Sequence, residues 1–162
     1  MRSAEELRYL ILAAQREGNR LLGQALRPLG LTPSQAEVLR VLYERQPLTL
    51  NGLGELLVCE SGSSPSRLVD RLATAGLVAR QPSEHDRRHI ELSLTPEGSG
   101  LVTQIAEIEE HLYRMIDQAV ASYDLDQITA FLWSFVGSTP AGRALARRTA
   151  TPPKKDATPT TS

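Results

Sequence analysis

Apolar residues along the chain keep a helical period through about residue 75, switch once to alternation, and return to the helical period until about residue 137. The first stripe is Leu7, Leu10, Ile11, Ala14, Leu21, Leu22 and Ala25, a near-heptad face interrupted by Gly18. It predicts a long helix to about Arg27, started by a capping box at Ser3-Ala4-Glu5-Glu6 and stopped by Pro28 and Gly30. Thr32-Pro33-Ser34-Gln35 starts a second helix with an N-cap, a proline at the first position and Gln at the third, and Val38, Leu39, Val41 and Leu42 form its inner side. Thr49 caps a third helix through Leu50, Leu53, Leu56 and Leu57. The run Glu60-Ser61-Gly62-Ser63-Ser64 is turn chemistry, from which Ser64 and Pro65 start a fourth helix. That helix buries Leu68, Val69, Leu72 and Ala75, keeps Ser63, Ser66, Arg67 and Arg71 on or near its outer side, and ends at Gly76.

After Gly76 the period becomes two. Leu77, Val78 and Ala79 lead one strand, and Ile90, Leu92 and Leu94 alternate with polar neighbours in another. Between them Pro82 to Arg88 is polar and exposed. Two short strands are marginal alone, so this ribbon has to pack on the helices. Thr95-Pro96-Glu97-Gly98 then starts a long helix to about Ser122, along which Leu101, Ile105, Ile108, Leu112, Met115 and Ala119 repeat at spacings of three and four. Asp124 starts a last regular helix with Ile128, Phe131, Leu132, Phe135 and Val136 on one side. Periodicity lapses at 138. Ala141 to Arg148 has room for a short helix, and the Thr, Pro and Lys beyond Thr149 read as a flexible tail.

The fold class expected is mainly α with a small two- to three-stranded antiparallel wing: a winged helix-turn-helix with long dimerisation helices. Its divisions are an N-terminal dimerisation helix (1–30), a winged helix-turn-helix (31–95), C-terminal dimerisation helices (96–137) and a tail (138–162). The fourth helix has the width a DNA major groove admits. Small hydroxyl side chains at its start (Ser63, Ser64, Ser66) let the backbone approach a phosphate, and Arg67 and Arg71 reach bases or phosphates. Arg87 and Arg88 at the wing tip suit the negative potential of a minor groove. The first, fifth and sixth helices present apolar faces that the reading head is too small to cover, which points to a two-fold homodimer.

Bulk composition adds little. Net charge is −1, with no global nucleic-acid signal, but the distribution is uneven. Residues 62–90 hold five Arg against three acids, while residues 101–135 hold one Arg against six acids. A basic reading head on an acidic scaffold suits local steering to DNA. One Cys excludes an internal disulfide framework and suits a reducing cytoplasm. No apolar run is long enough to span a membrane, and no signal-peptide pattern opens the chain.

The strings SRLVDRLATAGLV, DRR and LSLTPEG, in this order and spacing, resemble the MarR family of bacterial transcription regulators over about residues 5 to 137. The resemblance implies that Asp86 holds Arg88, the side chain that enters the minor groove, with Arg87 a phosphate or second groove contact. It implies a repressor that dimerises through its terminal helices, binds near-palindromic double-stranded DNA, and is released by a small aromatic acid or phenol bound between those helices and the head. Arg16 and Arg20, with Tyr43 and His111 as neighbours, are the candidate effector residues. The chain departs from many members in its Ser/Gly-rich turn before Pro65.

Other chemistry is sparse. No nucleophile with a base, Gly-rich phosphate loop or metal-ligand motif occurs, so neither enzyme, cofactor nor metal is expected. The histidines are at 85, 89 and 111. Glu107, Glu109 and Glu110 read as a solvated helix face. Cys59 is either a small buried hydrophobe or an oxidation sensor next to the reading head. The rival readings are therefore a redox-responsive regulator acting through Cys59 and a winged-helix adaptor that binds protein rather than DNA.

Overall fold

The computed structural model describes residues 2–59 and 64–150. Helix α1 spans Ser3–Leu26. Its N-cap is Arg2 and no side chain caps it, so the capping box expected at Ser3 does not form. Ser3 is already inside the helix, and Glu5 and Glu6 instead place negative charge in the first turn, where the helix dipole favours it. A 3-10 turn at Arg27–Leu29 ends on Gly30, whose φ of 70° is the left-handed conformation that favours glycine.

Helix α2 (Pro33–Arg45) starts with the capping box that its sequence predicts: Gln35 N–H donates to Thr32 Oγ1 at 3.3 Å and Thr32 N–H to Gln35 Oε1 at 3.0 Å. Strand β1 (Leu48–Thr49) and helix α3 (Leu50–Gly54) follow. Thr49 caps α3, but the helix stops five residues on, before Leu56 and Leu57. Gly52 and Gly54 within one short helix explain the early stop. Helix α4 (Pro65–Thr74) is capped by Ser64, buries Leu68, Val69 and Leu72, and terminates at Gly76 with φ 75°. Ala75 is exposed at its C-cap rather than in the buried stripe.

The wing has three strands. β2 (Val78–Pro82) and β3 (Ile90–Leu94) form the expected antiparallel ribbon, and β1 adds on the far side of β3 through Leu48 opposite Leu92. A two-residue strand is too short to announce itself by alternation. Leu92 is buried, but Ile90 is 49% exposed although it was expected in the same buried row. It pairs with Pro82 at the outer end of the ribbon, toward the wing tip.

Helix α5 (Pro96–Val120) is fixed to the head at its start. Thr95 N–H donates to the Leu77 carbonyl at 3.1 Å and its hydroxyl to the Gly76 carbonyl at 2.7 Å, while Thr95 Oγ1 accepts from Gly98 N–H. Gly98 lies so close to Leu77 that a Cβ there would collide with the carbonyl oxygen. Only glycine lets the two elements meet. Helix α6 (Leu125–Val136) follows, capped by Asp124. Helix α7 (Pro140–Thr149) is capped by Thr139, so the lapse of periodicity at 138 marks a corner into a further helix, and the rest of the expected tail, from 151 on, lies outside the described residues.

The core gathers Leu39 and Leu42 of α2, Leu53 of α3, Val69 and Leu72 of α4, Leu92 of β3 and Ile105 of α5, with Leu26 closing it from α1. Among the described residues no buried side-chain nitrogen or oxygen lacks a hydrogen-bond partner, and no helix is long and apolar enough to cross a membrane.

Candidate nucleic-acid interface

Two of the basic features legible in the sequence are held by local chemistry. In α4, burying Leu68, Val69 and Leu72 turns the other side of the helix outward. Ser66, Arg67, Asp70, Arg71 and Thr74 are exposed along it. Ser64 is exposed at the N-cap and its hydroxyl accepts from Arg67 N–H at 3.4 Å. Arg67 and Arg71 are both exposed, and among the described residues no ion pair involves either. Ser63 lies outside the described residues.

Asp70 sits between these arginines on the exposed face. Arg80 of β2 donates to its carboxylate. The pair fastens the helix to the wing and offsets the one negative charge on the exposed face. The signal was present in the sequence as an acid flanked by Arg67 and Arg71, but its partner lies ten residues away and only the fold brings it near.

The wing tip is a closed turn. Ser83 is buried, its N–H donates to the His89 carbonyl at 2.8 Å, and its hydroxyl accepts from His85 N–H at 3.2 Å. His89 N–H in turn donates to the Asp86 carbonyl. Asp86 accepts from Arg88 three times: Nε to Oδ1 at 3.0 Å, Nη2 to Oδ2 at 3.0 Å, and the backbone N–H at 3.1 Å. This bidentate geometry is the stronger form of an ion pair. Arg88 holds the Asp86 carboxyl below its usual range, first through the side-chain bonds and then the backbone one, and nearby His89 adds to the effect. The Arg88 side chain is still 89% exposed. Asp86 therefore aims a guanidinium without covering it, and the remaining N–H donors face outward. Arg87 is exposed beside it.

The candidate effector residues are not gathered in a buried site. Arg16, Arg20, Tyr43 and His111 are all exposed. Arg20 is engaged by Glu17 at 2.8 Å and Gln24 at 3.0 Å, and it lines a cleft of about 490 Å³ between α1 and the start of α2 that contains none of the other three.

Cys59 is exposed as a residue, yet desolvation of its thiol and the neighbouring Glu37 carboxylate push it up to about 12. Solvent contact limits what desolvation can do here, so the lasting cause is Glu37, one of whose oxygens lies 2.8 Å from the Cys59 backbone nitrogen. The group is a thiol at neutral pH, while oxidation by peroxide proceeds through the thiolate. Among the described residues no group of three or more His, Cys, Asp or Glu is arranged to hold a metal.

Glu109, read from sequence as part of a solvated face, is instead half-buried against Arg40 of α2 at 3.2 Å. Its carboxyl is raised by desolvation, which Arg40 partly offsets. This pair joins α5 to the head.

Comparison with known proteins is consistent in kind. The model of the MarR family matches residues 29–89. The HTH-type transcriptional regulator MhqR of Bacillus subtilis (strain 168) is 30% identical over 118 residues, covering 69% of this chain and 81% of MhqR. The organic hydroperoxide resistance transcriptional regulator of the same organism is 29% identical over 136 residues, 84% of this chain and 90% of that protein. Among solved structures, a mutant of MarR from E. coli complexed with operator DNA has the same fold, with a TM-score of 0.66 over 83% of this chain and 94% of that chain at 24% identity.

Proposed function

The chain belongs to the MarR family of winged-helix DNA-binding transcription regulators, and from that premise we propose that it is a cytoplasmic repressor that grips a near-palindromic operator as a homodimer. The observation that carries the reading is the wing tip: Asp86 orients Arg88 through two side-chain hydrogen bonds while leaving it almost wholly exposed. A guanidinium presented in that way suits a narrow minor groove. The exposed Ser66, Arg67 and Arg71 face of α4 suits the adjacent major groove, with Ser64 and the first N–H groups of the helix toward a phosphate.

The homodimer rests on what a single chain leaves bare. Leu7, Leu10 and Ile11 of α1 and Ile128, Leu132 and Phe135 of α6 are all exposed large hydrophobics. α6 has no buried residue among its twelve. Apolar faces of this extent in a folded chain mark an interface. A two-fold dimer spaces two heads about one helical turn of DNA apart, roughly 34–36 Å.

Release by a small aromatic acid or phenol completes the proposal. A carboxylate entering a partly apolar cleft needs a cationic partner, and Arg16 on the exposed face of α1 offers a fork of matching geometry once a second chain closes over it. The redox alternative at Cys59 gains no support from its surroundings, since desolvation and the Glu37 carboxylate both oppose ionisation of the thiol. The adaptor alternative predicts no salt-dependent DNA affinity.

Titration of aromatic acids into wild type and Arg16→Ala by calorimetry, beside a DNA-release assay, tests the effector part. An acid that binds and releases DNA equally well in both proteins removes Arg16 from the site. Selection of duplexes from a randomised pool tests the DNA part, and recovery of no inverted repeat would overturn it.

A further inference from the structure

Helix α7 plays no part in the DNA-binding reading, yet it is interlocked with the reading head. At one end it is fixed to α6. Thr139 Oγ1 donates to the Val136 carbonyl at 2.7 Å and accepts from Gly142 N–H at 3.1 Å. A Cβ on Gly142 would collide with the Val136 carbonyl oxygen, so the corner admits only glycine without rearrangement. At the other end the head and α7 cap each other. Arg45 of α2 donates to the carbonyls of Arg148 at 3.0 Å and Ala150 at 2.8 Å, the acceptors a helix C-terminus leaves free. Arg147 donates to the Glu55 carbonyl at the end of α3 at 3.3 Å.

The third link reaches furthest into the head. Arg148 Nη1 lies 2.7 Å from Glu37 Oε1, and the Glu37 side chain is only 8% exposed. The same carboxylate accepts from Val58 N–H and Cys59 N–H, both at 2.8 Å. Those two residues lie on the path from α3 to α4. A surface ion pair contributes little, but a buried carboxylate with three donors is costly to leave without its counter-charge.

We propose that Arg148 is a positioning residue for the DNA-reading helix: it neutralises Glu37, Glu37 holds the backbone of Val58 and Cys59, and that anchor sets the approach to α4. Through the close approach of Gly142 to Val136, α7 also links α6 to the head. This rests on the DNA-binding reading. Arg148 itself is turned onto Glu37 and is not a phosphate contact, which separates its role from that of Arg67, Arg71 or Arg88.

The test uses the full chain and a duplex selected by the wild type from a randomised pool. Affinity is read by fluorescence anisotropy across a salt series, and exchange of the Val58 and Cys59 amides by NMR. Arg148→Gln should bind about tenfold more weakly, since the buried carboxylate it abandons must draw in water. The salt slope should not change, and the two amides should exchange faster. Arg148→Lys, which keeps the charge, should recover most of the affinity. Glu37→Gln should reproduce the loss, so the case does not depend on Arg148→Gln folding. The cycle of both single variants and the double should show coupling. Unchanged affinity in Arg148→Gln despite faster exchange leaves only a structural role and overturns the proposal. A salt slope lowered by about one marks a phosphate contact and also overturns it. Failure of the wild type to select any duplex overturns the DNA-binding reading and this proposal with it, whereas a selected duplex indifferent to Arg148 overturns this proposal alone.

Discussion

The two halves of α5 meet different surroundings. Near its start, Val102 and Ile105 are buried in the head's core. Beyond its middle, Tyr113, Met115 and Ile116 are exposed, as are Leu10 of α1 and Phe135 of α6, the last at 70%. The head encloses most of its large apolar side chains, Tyr43, Leu50 and Ile90 excepted, and among the described residues its buried polar atoms are partnered. The helical frame leaves large apolar side chains exposed in the single chain. In the proposed dimer, a well-packed head would be carried by a frame whose exposed apolar faces meet a second chain, and that frame would set the spacing between two heads. That division is what the proposed dimeric repressor requires, because an effector acts only by preferring one separation of the heads over another.

The sharpest way to break the contrast is to damage each region and ask what fails. Leu72, 1% exposed in α4, is a head residue. Leu72→Ala should destabilise the fold by about 2–5 kcal/mol, the cost of the cavity left by most of a buried leucine side chain. Chemical denaturation of the head, monitored by circular dichroism, checks it, and a loss under about 1 kcal/mol would mean the head is not the closed core described. Leu132→Arg on α6 should leave helix content intact and weaken association by about 2–4 kcal/mol, as for a central interface residue. Sedimentation at micromolar concentration reads this. An unchanged oligomer would move the interface off α6.

A smaller effect separates the wing from both. Arg88→Ala should cost about 1–3 kcal/mol of operator affinity with the fold and the oligomer unchanged. Equal affinity for wild type and variant would end the groove assignment.

The smallest effect is with pH. Asp86 is depressed by Arg88, so it stays charged down to a lower pH in the folded wing than in the unfolded chain. Its contribution is present above the unfolded value and is lost as pH falls through the folded one. Because the pair is exposed, little global stability depends on it. The loss should instead appear below the ordinary Asp range as broadening of the Arg88 Nε–H signal, with the core signals unmoved. An Arg88 signal that does not respond to acid would show that Asp86 does not hold it.

What the sequence disclosed follows from how local each device is. The capping box of Thr32 and Gln35, the Ser64-Pro65 start of α4 and the stop at Gly76 each lie within four residues, and each is present. The Asp86–Arg88 turn is equally local. Ser3 misled because Arg2 can begin the helix without any side-chain cap, leaving Ser3 inside. β1 was hidden because two residues show no alternation. The pairs Asp70–Arg80, Arg40–Glu109 and Glu37–Arg148 were illegible for a different reason: their members stand ten, 69 and 111 residues apart and meet only through tertiary packing. Nothing local in the sequence ties Arg16, Tyr43 and His111 to one another, and all three are exposed in the single chain.

The measurement that bears most directly on the account is the stoichiometry of the complex between the full chain and a selected inverted-repeat duplex, determined by sedimentation velocity. The account predicts two chains on one duplex, assembled from a dimer that already exists without DNA. A single chain per duplex, or a stable monomer that binds no duplex, would contradict it.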